Sequence, residues 1–285
     1  MSNPFLPGAP KEFDMLPKHT FEWSARSVSG SRKEINDDSW IAFATGGQHG
    51  TVMLATDDER TMVTSDLIYA VSDGMGGGNA GNVASALILE YLSEHIPETF
   101  RAAAAGFYPD YLARLEDIIT KIHHAINEKG EADENRKGMA ATLTLAWFTP
   151  DNMYFAHVGD SRLYRYRDGE LQQLSQDHTF VWKQFQRGEI SELQFRNHPR
   201  RSALYNVMGG GHFSTTPQVD VVDYKPGDRF MLCSDGIVDG LGQKSIAGEF
   251  SENLDSTSSL ADACISRAIE NDGTDDTTLI TICVK

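Results

Sequence analysis

The sequence lacks a long hydrophobic run, and none of its apolar stretches approaches the ~20 residues that a membrane-spanning helix requires. The N-terminus reads Met-Ser-Asn-Pro-Phe-Leu-Pro, without the basic start and apolar centre of a secretory signal peptide. Cysteine is scarce: Cys233, Cys264 and Cys283 all fall in apolar segments. An odd number of buried thiols favours a reducing compartment over a disulfide framework. We therefore expect a cytoplasmic protein that does not bind a membrane.

Basic residues are also few. The chain has 25 Lys and Arg against 41 Asp and Glu, which gives a formal net charge of −16. Binding to nucleic acid relies on clustered Lys and Arg, so we expect no nucleic-acid partner. Hydrophobic residues make up 40% of the chain and charged residues 23%, a composition typical of a globular protein with a substantial core.

The order of predicted elements indicates the fold class. Residues 1–20 contain Pro4, Pro7, Pro10 and Pro17 and are predicted to form a loose N-terminal extension, followed by a single domain over 21–285. Strands are predicted at 40–44, 67–71, 142–148, 153–158, 163–166, 171–174, 219–224, 230–233 and 277–284. Helices are predicted at 80–95, 111–128 and 260–269, with polar helices at 177–187 and 189–195.

Two details of this pattern matter for the fold. Pro97 is expected to end the first helix, and residues 46–65 are expected to form a loop or hairpin excursion. The helices at 80–95 and 111–128 follow one another without a strand between them. The strands between 142 and 174 are separated by turn sequences typical of hairpins. We predict an α+β fold in which two antiparallel β-sheets pack as a sandwich flanked by pairs of helices (αββα).

The most informative motif is an aspartate at the end of an apolar run. Asp73 follows Leu67–Val71 and precedes Gly74, and the same Asp-Gly pattern recurs at Asp235 after Met231-Leu232-Cys233. Asp275 precedes the last apolar run. A carboxylate beside a glycine-rich backbone offers both side-chain and peptide oxygens to a hard cation. A single Asp-Gly is more often a turn, but the repeated pattern indicates a metal centre.

Six aspartates are candidate ligands because each lies next to a predicted strand. They are Asp38, Asp73, Asp160, Asp235, Asp239 and Asp275. Carboxylates gathered at one edge of a sandwich repel one another and stay ionised together only around cations. All-oxygen ligands favour Mg²⁺ or Mn²⁺. Two such ions ~4 Å apart can lower the pKa of a shared water towards neutrality.

Taken together, these motifs resemble the metal-dependent Ser/Thr protein phosphatases, also called protein phosphatase type 2C. The matches cover roughly residues 20–285. Met75 stands where eukaryotic members typically have His, and in this the chain resembles the bacterial branch. The matches are Asn36-Asp37-Asp38-Ser39, Asp73-Gly74-Met75-Gly76-Gly77, Gly138-Met139-Ala140-Ala141-Thr142-Leu143, Val158-Gly159-Asp160-Ser161-Arg162, Cys233-Ser234-Asp235-Gly236-Ile237-Val238-Asp239 and Asp275-Asp276-Thr277-Thr278. The resemblance implies hydrolysis of phosphoserine and phosphothreonine in proteins.

The resemblance also implies residue roles. Asp73 bridges two Mn²⁺ or Mg²⁺ ions, and the Gly74 carbonyl reaches the second. Asp235 and Asp275 complete the first site, and Asp38 holds the second directly or through water. A weaker third site is implied for Asp160, Asp235 and Asp239, while Arg162 is implied as an internal salt-bridge partner.

The sequence offers more than one candidate for phosphate binding. The family pattern places an Arg where this chain has Lys33, so Lys33 or its neighbour Arg32 is expected to bind phosphate, with Arg26 as a third possibility. Met75 removes a general acid that the eukaryotic pattern carries.

A predicted flap at 176–204 lies beside the implied active site. It carries a local basic cluster of Arg196, His198, Arg200 and Arg201. This cluster is interpreted either as a docking site for phosphoproteins or as a solvated surface. His178, also in the flap, is a candidate proton donor or a structural residue.

Two alternatives remain open. Gly76-Gly77-Gly78-Asn79-Ala80-Gly81 satisfies a dinucleotide-binding pattern, although Asp73 would repel the pyrophosphate and no parallel βαβ unit is predicted. The second alternative is a non-catalytic relative that binds metal or phosphoproteins. The expected partners are phosphorylated proteins, including a Ser/Thr kinase, and the expected state is a monomer.

Overall fold

The computed structural model describes residues 19–46, 50–62, 65–76, 80–104 and 110–285. The strands of these ranges are β1 (Thr20–Val28), β2 (Asp38–Gly46), β3 (Thr51–Met53), β4 (Asp57–Thr61), β5 (Ser65–Met75), β6 (Ala140–Ala141), β7 (Leu143–Phe148), β8 (Met153–Val158), β9 (Arg162–Arg167), β10 (Glu170–Gln173), β11 (Met208–Gly209), β12 (Gln218–Val222), β13 (Arg229–Cys233) and β14 (Thr277–Val284). The helices are α1 (Ala80–Ala104), α2 (Tyr111–Glu131), α3 (Phe180–Gln186), α4 (Glu192–Arg196), α5 (Asp235–Gly240), α6 (Gln243–Glu252) and α7 (Thr257–Asn271).

The strands form two antiparallel sheets. One has the order β10-β9-β13-β14-β1-β4. In the other, β2, β5, β7, β8 and β12 are neighbours in that order; β3 pairs with the outer side of β2, and the short β6 and β11 extend the sheet at the end of β5. This arrangement confirms the predicted class of two packed antiparallel sheets with helices.

Three apolar layers hold the sandwich together. The core between the sheets is rich in aromatic side chains, among them Phe21, Trp23, Tyr69, Phe148 and Phe230. Helices α1 and α2 cover the outer face of the second sheet through residues such as Ile88, Leu92, Ile119 and Ile122. Helices α5, α6 and α7 cover the first sheet through Ile237, Ile246, Phe250, Leu260 and Cys264. Each sheet therefore has both faces buried, which explains why its central strands are almost wholly apolar.

Strand β5 illustrates this burial. Leu67, Tyr69 and Val71 point into the core between the sheets, whereas Ile68 and Ala70 point towards the helices. The two-residue alternation is that of an extended strand, but both faces select apolar residues. Asp73 lies two residues after Val71 in the same strand, so a charged residue lies near the end of a rigid, buried element.

The structure corrects several element boundaries. The prediction that Pro97 ends the first helix is wrong, because α1 continues through it to Ala104. Leu92 and Ile96 on the preceding turns are fully buried, and this packing offsets the ~3 kcal/mol cost of an internal proline. Strand β1 and helices α5 and α6 were not predicted. The excursion at 46–65 contains β3 and β4.

Some expectations fall outside the described ranges. The loose extension at 1–20 lies there except for its last two residues, as do residues 47–49 and 63–64 of the excursion. Within the described part of the chain, no helix combines the length and hydrophobicity of a membrane span. All three cysteines are buried and free, in agreement with a structural role.

Candidate metal centre

Antiparallel pairing brings two predicted ligands to one edge of the second sheet. Strand β2 begins where β5 ends, and Asp38 lies directly opposite Asp73 in the register. The Asp73 backbone is fixed by Thr142, whose amide donates to the Asp73 carbonyl at 2.8 Å. The Thr142 hydroxyl in turn accepts from the Asp73 amide at 2.9 Å. The carboxylate of Asp73 is therefore carried by a backbone that the sheet holds in place.

The first sheet contributes Asp235 at the same edge. Strand β13 ends at Cys233, Ser234 is the N-cap of α5, and Asp235 is the first residue of that helix. The Ser234 hydroxyl donates to Oδ2 of Asp38 at 2.7 Å. The Ser234 amide donates to the carbonyl of Thr278 on β14 at 2.9 Å. Ser234 thus joins both sheets beneath the acidic residues.

Three predicted ligands come together in the structure. Asp73, Asp160 and Asp235 each offer a carboxylate oxygen, and these oxygens all lie within 4.8 Å of one another. Such separations are close to those between ligands of one Mg²⁺ or Mn²⁺ ion, whose bonds to oxygen are ~2.1 Å long. The group draws on the end of β5, the turn after β8 and the start of α5, segments far apart in the sequence.

Burial and mutual repulsion shift the titration of these carboxyls. Burial, followed by the charges of Asp38 and Asp235, raises the pKa of Asp73 well above its ordinary value. Burial and the charge of Asp235 raise the pKa of Asp160 in the same way. Burial raises the pKa of Asp38 to about 7, and burial with the charge of Asp275 raises that of Asp235 to about 6. Full ionisation of the cluster therefore requires a compensating positive charge.

Asp38 gives a second indication that the centre binds a cation. Its Oδ2 accepts from Ser234, but its Oδ1 is buried without a hydrogen-bond partner among the described residues. An unpaired buried carboxylate oxygen costs several kcal/mol, and native proteins avoid such atoms unless a ligand engages them. The donor set of oxygen atoms and this unpartnered oxygen both fit Mn²⁺ or Mg²⁺.

Neither Asp-Gly pair forms a turn. Gly74 lies inside β5, and a Cβ there would come within 2.2 Å of the Gly81 carbonyl oxygen of α1. Gly236 lies in the first turn of α5, where a Cβ would come within 2.1 Å of the Asp276 carbonyl oxygen. Both glycines are required by the close approach of neighbouring backbone to the ligand-bearing segments.

Asp275 lies at the exposed rim of the centre, next to Lys33. The ammonium group of Lys33 is 3.2 Å from Oδ1 of Asp275 and 3.1 Å from Oδ2 of Asp37. Burial by itself would lower the pKa of Lys33, but the charges of Asp275 and Asp37 outweigh it and raise that pKa. Of the candidate phosphate-binding residues, Lys33 is therefore the one that contacts a predicted ligand.

The other two candidates lie elsewhere. Arg32 is exposed. Hydrogen bonding from Thr274 lowers the pKa of Asp272, and the charges of Arg201 and then Arg32 add smaller effects in the same direction. Arg26 is bound by Asp57 at 2.7 Å and Asp262 at 2.6 Å. Arg26 is therefore committed to ion pairs with strand β4 and helix α7.

Sequence reasoning gave no role to Asp37 and Asp276, which organise the loop before β2. Asp276 accepts from the amides of Gly30 at 2.8 Å and Asp37 at 2.7 Å. Asp37 accepts from the Asn82 amide in the first turn of α1 at 3.0 Å. Each lies next to a predicted ligand in the sequence. The Asp-Asp pairs at 37–38 and 275–276 are the sequence feature that could have indicated a role for these two residues.

Asp239, the sixth candidate, lies outside the group of three oxygens. Both of its carboxylate oxygens accept from the guanidinium group of Arg201 in the flap. Arg196 donates to its backbone carbonyl at 2.9 Å. A role for Asp239 in a third cation site remains a prediction, as do the direct roles of Gly74 and Asp275.

The base of the flap is a buried ion pair. Arg162 binds Asp177 through Nε at 2.9 Å and Nη2 at 2.7 Å, which confirms the internal salt bridge implied for Arg162. The guanidinium carbon lies 5.3 Å from the centre of the Trp182 ring and 5.6 Å from that of Phe195. These contacts fix α3 and α4 to strand β9.

His178 is part of this base. Its Nδ1 accepts from the Gly159 amide at 3.1 Å, and burial lowers its pKa to about 3. A neutral, buried imidazole with an engaged nitrogen favours the structural interpretation of His178. In the predicted basic cluster, Arg196 and Arg201 face α5, whereas Arg200 is exposed.

The dinucleotide-binding alternative finds no support. Residues 77–79 of its motif lie outside the described ranges, but β5 has antiparallel neighbours and α1 is followed directly by α2 in the described chain order. A dinucleotide site of this type requires a parallel βαβ unit.

Comparison with known proteins identifies the family. The model of the family Protein phosphatase 2C matches residues 45–270. The chain is 30% identical over 240 residues to the serine/threonine protein phosphatase PstP of Mycobacterium tuberculosis, covering 84% of this chain and 44% of that protein. It is 31% identical over 217 residues to the serine/threonine phosphatase stp of Listeria monocytogenes, covering 75% of this chain and 83% of the relative. The chain thus spans less than half of PstP.

Solved structures agree. The crystal structure of the Mycobacterium tuberculosis serine/threonine phosphatase PstP/Ppp superposes with a TM-score of 0.75 at 28% identity, covering 93% of this chain and 98% of the other. The catalytic domain of PstP in complex with two manganese ions superposes with a TM-score of 0.70 at 27% identity, covering 93% and 99%. With its acidic centre at the edges of two packed sheets, the chain belongs to the protein phosphatase 2C family.

Proposed function

We propose that this chain is a protein-serine/threonine phosphatase that hydrolyses phosphoserine and phosphothreonine with two Mn²⁺ or Mg²⁺ ions. The observation that carries the proposal is the convergence of the Asp73, Asp160 and Asp235 oxygens within 4.8 Å beside an unpartnered oxygen of Asp38. The two manganese ions bound by the PstP catalytic domain support the choice of cation and the number of ions.

Each ligand has a separate task in this proposal. Asp73 would contribute to holding both ions together with the Gly74 carbonyl, Asp235 and Asp275 would hold the first ion, and Asp38 would hold the second. When bound, the ions neutralise the carboxylates and lower the pKa of the water that attacks phosphorus. Ser234 fixes the orientation of Asp38 by donating to Oδ2 at 2.7 Å, which leaves Oδ1 free for a cation.

Lys33 is the proposed phosphate-binding residue in the structure. Its side chain is 32% exposed and is placed by Asp37 and Asp275 at the rim of the centre. From that position the ammonium group can contact a phosphate oxygen as a point charge, without the two-pronged geometry of arginine. Arg32, one residue earlier and exposed, can add longer-range attraction for the dianionic phosphate.

The decisive experiment is the Asp73→Asn substitution. We expect hydrolysis of p-nitrophenyl phosphate and of a phosphothreonine peptide in Mn²⁺ to fall by about a thousandfold or more, because the bridging charge is lost. Asp220→Asn is the matched control, since Asp220 is exposed on β12 and should leave turnover unchanged. Turnover that survives Asp73→Asn would remove the proposed mechanism.

The same assay separates the proposal from a non-catalytic relative. A wild-type chain that binds Mn²⁺ yet does not hydrolyse either substrate would support a binding module instead. We further propose that the enzyme acts in the cytoplasm as a monomer and opposes a Ser/Thr kinase. Phosphoproteomics of cells lacking the protein should then show accumulation of phosphoserine and phosphothreonine sites, and no such accumulation would contradict this assignment.

A further inference from the structure

The flap, comprising residues 176–204, contacts the helix that carries Asp235. Arg201 places its two terminal nitrogens on the two carboxylate oxygens of Asp239, forming a fork-on-carboxylate ion pair. The Asp239 side chain is only 7% exposed and the Arg201 side chain 29%, so water screens this pair poorly. Asp239 lies four residues after Asp235, one turn along α5, and therefore on the same helix face.

The other described contacts between flap and α5–α6 do not neutralise a carboxylate of α5. Arg196 donates to the Asp239 backbone carbonyl at 2.9 Å. A Glu192 oxygen accepts from the Gln243 amide at 2.9 Å. These contacts position α4, whereas Arg201 delivers a positive charge to a predicted metal ligand.

This arrangement does not fit the third cation implied for Asp160, Asp235 and Asp239. Asp160 and Asp235 lie in the oxygen group with Asp73, but both oxygens of Asp239 are occupied by Arg201. A divalent ion on Asp239 would have to displace the guanidinium group and would also be repelled by its charge. The guanidinium group and a divalent ion therefore compete for the same carboxylate.

We propose that Arg201 takes the place of the third cation, so that a third divalent ion binds only when the flap releases Asp239. The inference rests on the proposed two-cation centre and adds a regulatory link to it. Because binding linkage is reciprocal, a third ion must favour the released flap by the same factor by which the docked flap weakens that ion.

The test measures cation binding directly. Full-length protein stripped with EDTA is titrated with Mn²⁺ by calorimetry, comparing wild type with Arg201→Gln and with the control Arg200→Gln. Arg200 adjoins Arg201, is exposed, and forms no ion pair with the described residues. We expect two tight sites in all three proteins, and a third site at least tenfold tighter in Arg201→Gln than in the other two.

Hydrogen exchange of the flap gives an independent readout. In the wild type, exchange across 189–204 should rise only at the Mn²⁺ concentrations that fill the third site, whereas in Arg201→Gln it should be high from the start. Asp239→Asn should also free the flap, but without creating a third site. The double variant Arg201→Gln with Asp239→Asn should therefore lose the gain in the third site.

Three results would overturn the inference while leaving the proposed function standing. The first is a third-site affinity in Arg201→Gln within twofold of the wild type, and the second is flap exchange that is unchanged in Asp239→Asn. A tightened third site that persists in the double variant would also overturn it, because Asp239 would not be the ligand. A wild-type chain that binds no Mn²⁺ would instead remove both proposals.

Discussion

The metal centre and the base of the flap are both buried and charged, but they balance their charges in opposite ways. At the flap base, Arg162 binds Asp177 through two nitrogens and donates to the Tyr164 hydroxyl at 2.9 Å through the third. At the metal centre, acidic side chains face one another and an oxygen of Asp38 has no partner among the described residues. A buried charge with every partner inside the protein stabilises structure, whereas unbalanced buried charge indicates a ligand.

The largest expected effect on stability comes from breaking the balanced site. Replacing Arg162 with Met should lower the free energy of unfolding by about 3–5 kcal/mol, because the buried carboxylate of Asp177 loses its counter-charge. Urea denaturation in Mn²⁺ measures the change. Asp177 is itself only 3% exposed in its side chain, so solvent cannot replace the lost partner.

Arg187→Met is the matched control for that substitution. Arg187 lies 3.0 Å from Glu189, but their side chains are 64% and 49% exposed. Exposed pairs contribute about 0–1 kcal/mol, so this variant should unfold nearly as the wild type does. Equal losses in the two variants would show that the flap base is no more than a surface contact.

The next effect concerns pH in the absence of metal. The pKa of Asp38 is about 7 in the folded chain, against ~3.9 when unfolded, so the folded state binds more protons between these values. The stability that Asp38 contributes therefore falls as pH rises from ~4 to ~7, by about 2–4 kcal/mol in total. In EDTA, the unfolding free energy of the wild type minus that of Asp38→Asn should therefore decrease as the pH rises from ~4 to ~7.

Saturating Mn²⁺ should reverse that trend, because the ions bind the ionised carboxylates. A flat Asp38 difference curve in EDTA would contradict the idea of unbalanced charge.

His157 should show the opposite pH dependence without metal. Burial lowers its pKa to about 4, and its neutral form donates to the Gly159 carbonyl at 3.0 Å. Between ~4 and ~6.5 the unfolded state binds the extra proton, so the stability contributed by His157 rises with pH.

The smallest predicted effect is at the rim of the centre. Lys33→Met should raise KM for a phosphopeptide about tenfold, corresponding to ~1.4 kcal/mol, while Lys33→Arg should retain affinity. Steady-state kinetics at saturating Mn²⁺ measures both variants. An unchanged KM in Lys33→Met would mean that Lys33 only braces Asp37 and Asp275.

The sequence was sufficient to predict that Asp73 and Asp235 lie close together, because strand ends are local features. Apolar runs ending in Asp73 and Asp235 specify both a strand and the residue at its end, and the sandwich then brings the ends together. Strand β1 was missed although Phe21, Trp23 and Ala25 alternate towards the core, since the intervening polar residues resemble a loop. The passage of α1 through Pro97 depends on tertiary packing and has no local signal.

The partners of charged side chains could not be predicted in the same way. The sequence around Arg26, Lys33 and Arg201 does not indicate which element each one contacts, and in the structure they contact α7, the metal centre and α5 respectively. The choice is made by packing of segments more than 30 residues apart, as in the pair of Arg201 with Asp239. The sequence analysis predicted an internal salt bridge only for Arg162, and that prediction came from the family resemblance.

The position of β14 has a consequence for protein synthesis. This strand lies between β13 and β1, and Val284 pairs with Phe21, so one of the earliest strands waits for one of the latest. Pairing over such a sequence separation is slow, and the edge of β1 that pairs with β14 stays open on the ribosome until β14 emerges. Asp275 and Asp276 directly precede this strand, so a nascent chain cannot complete the proposed metal centre before the first sheet is closed.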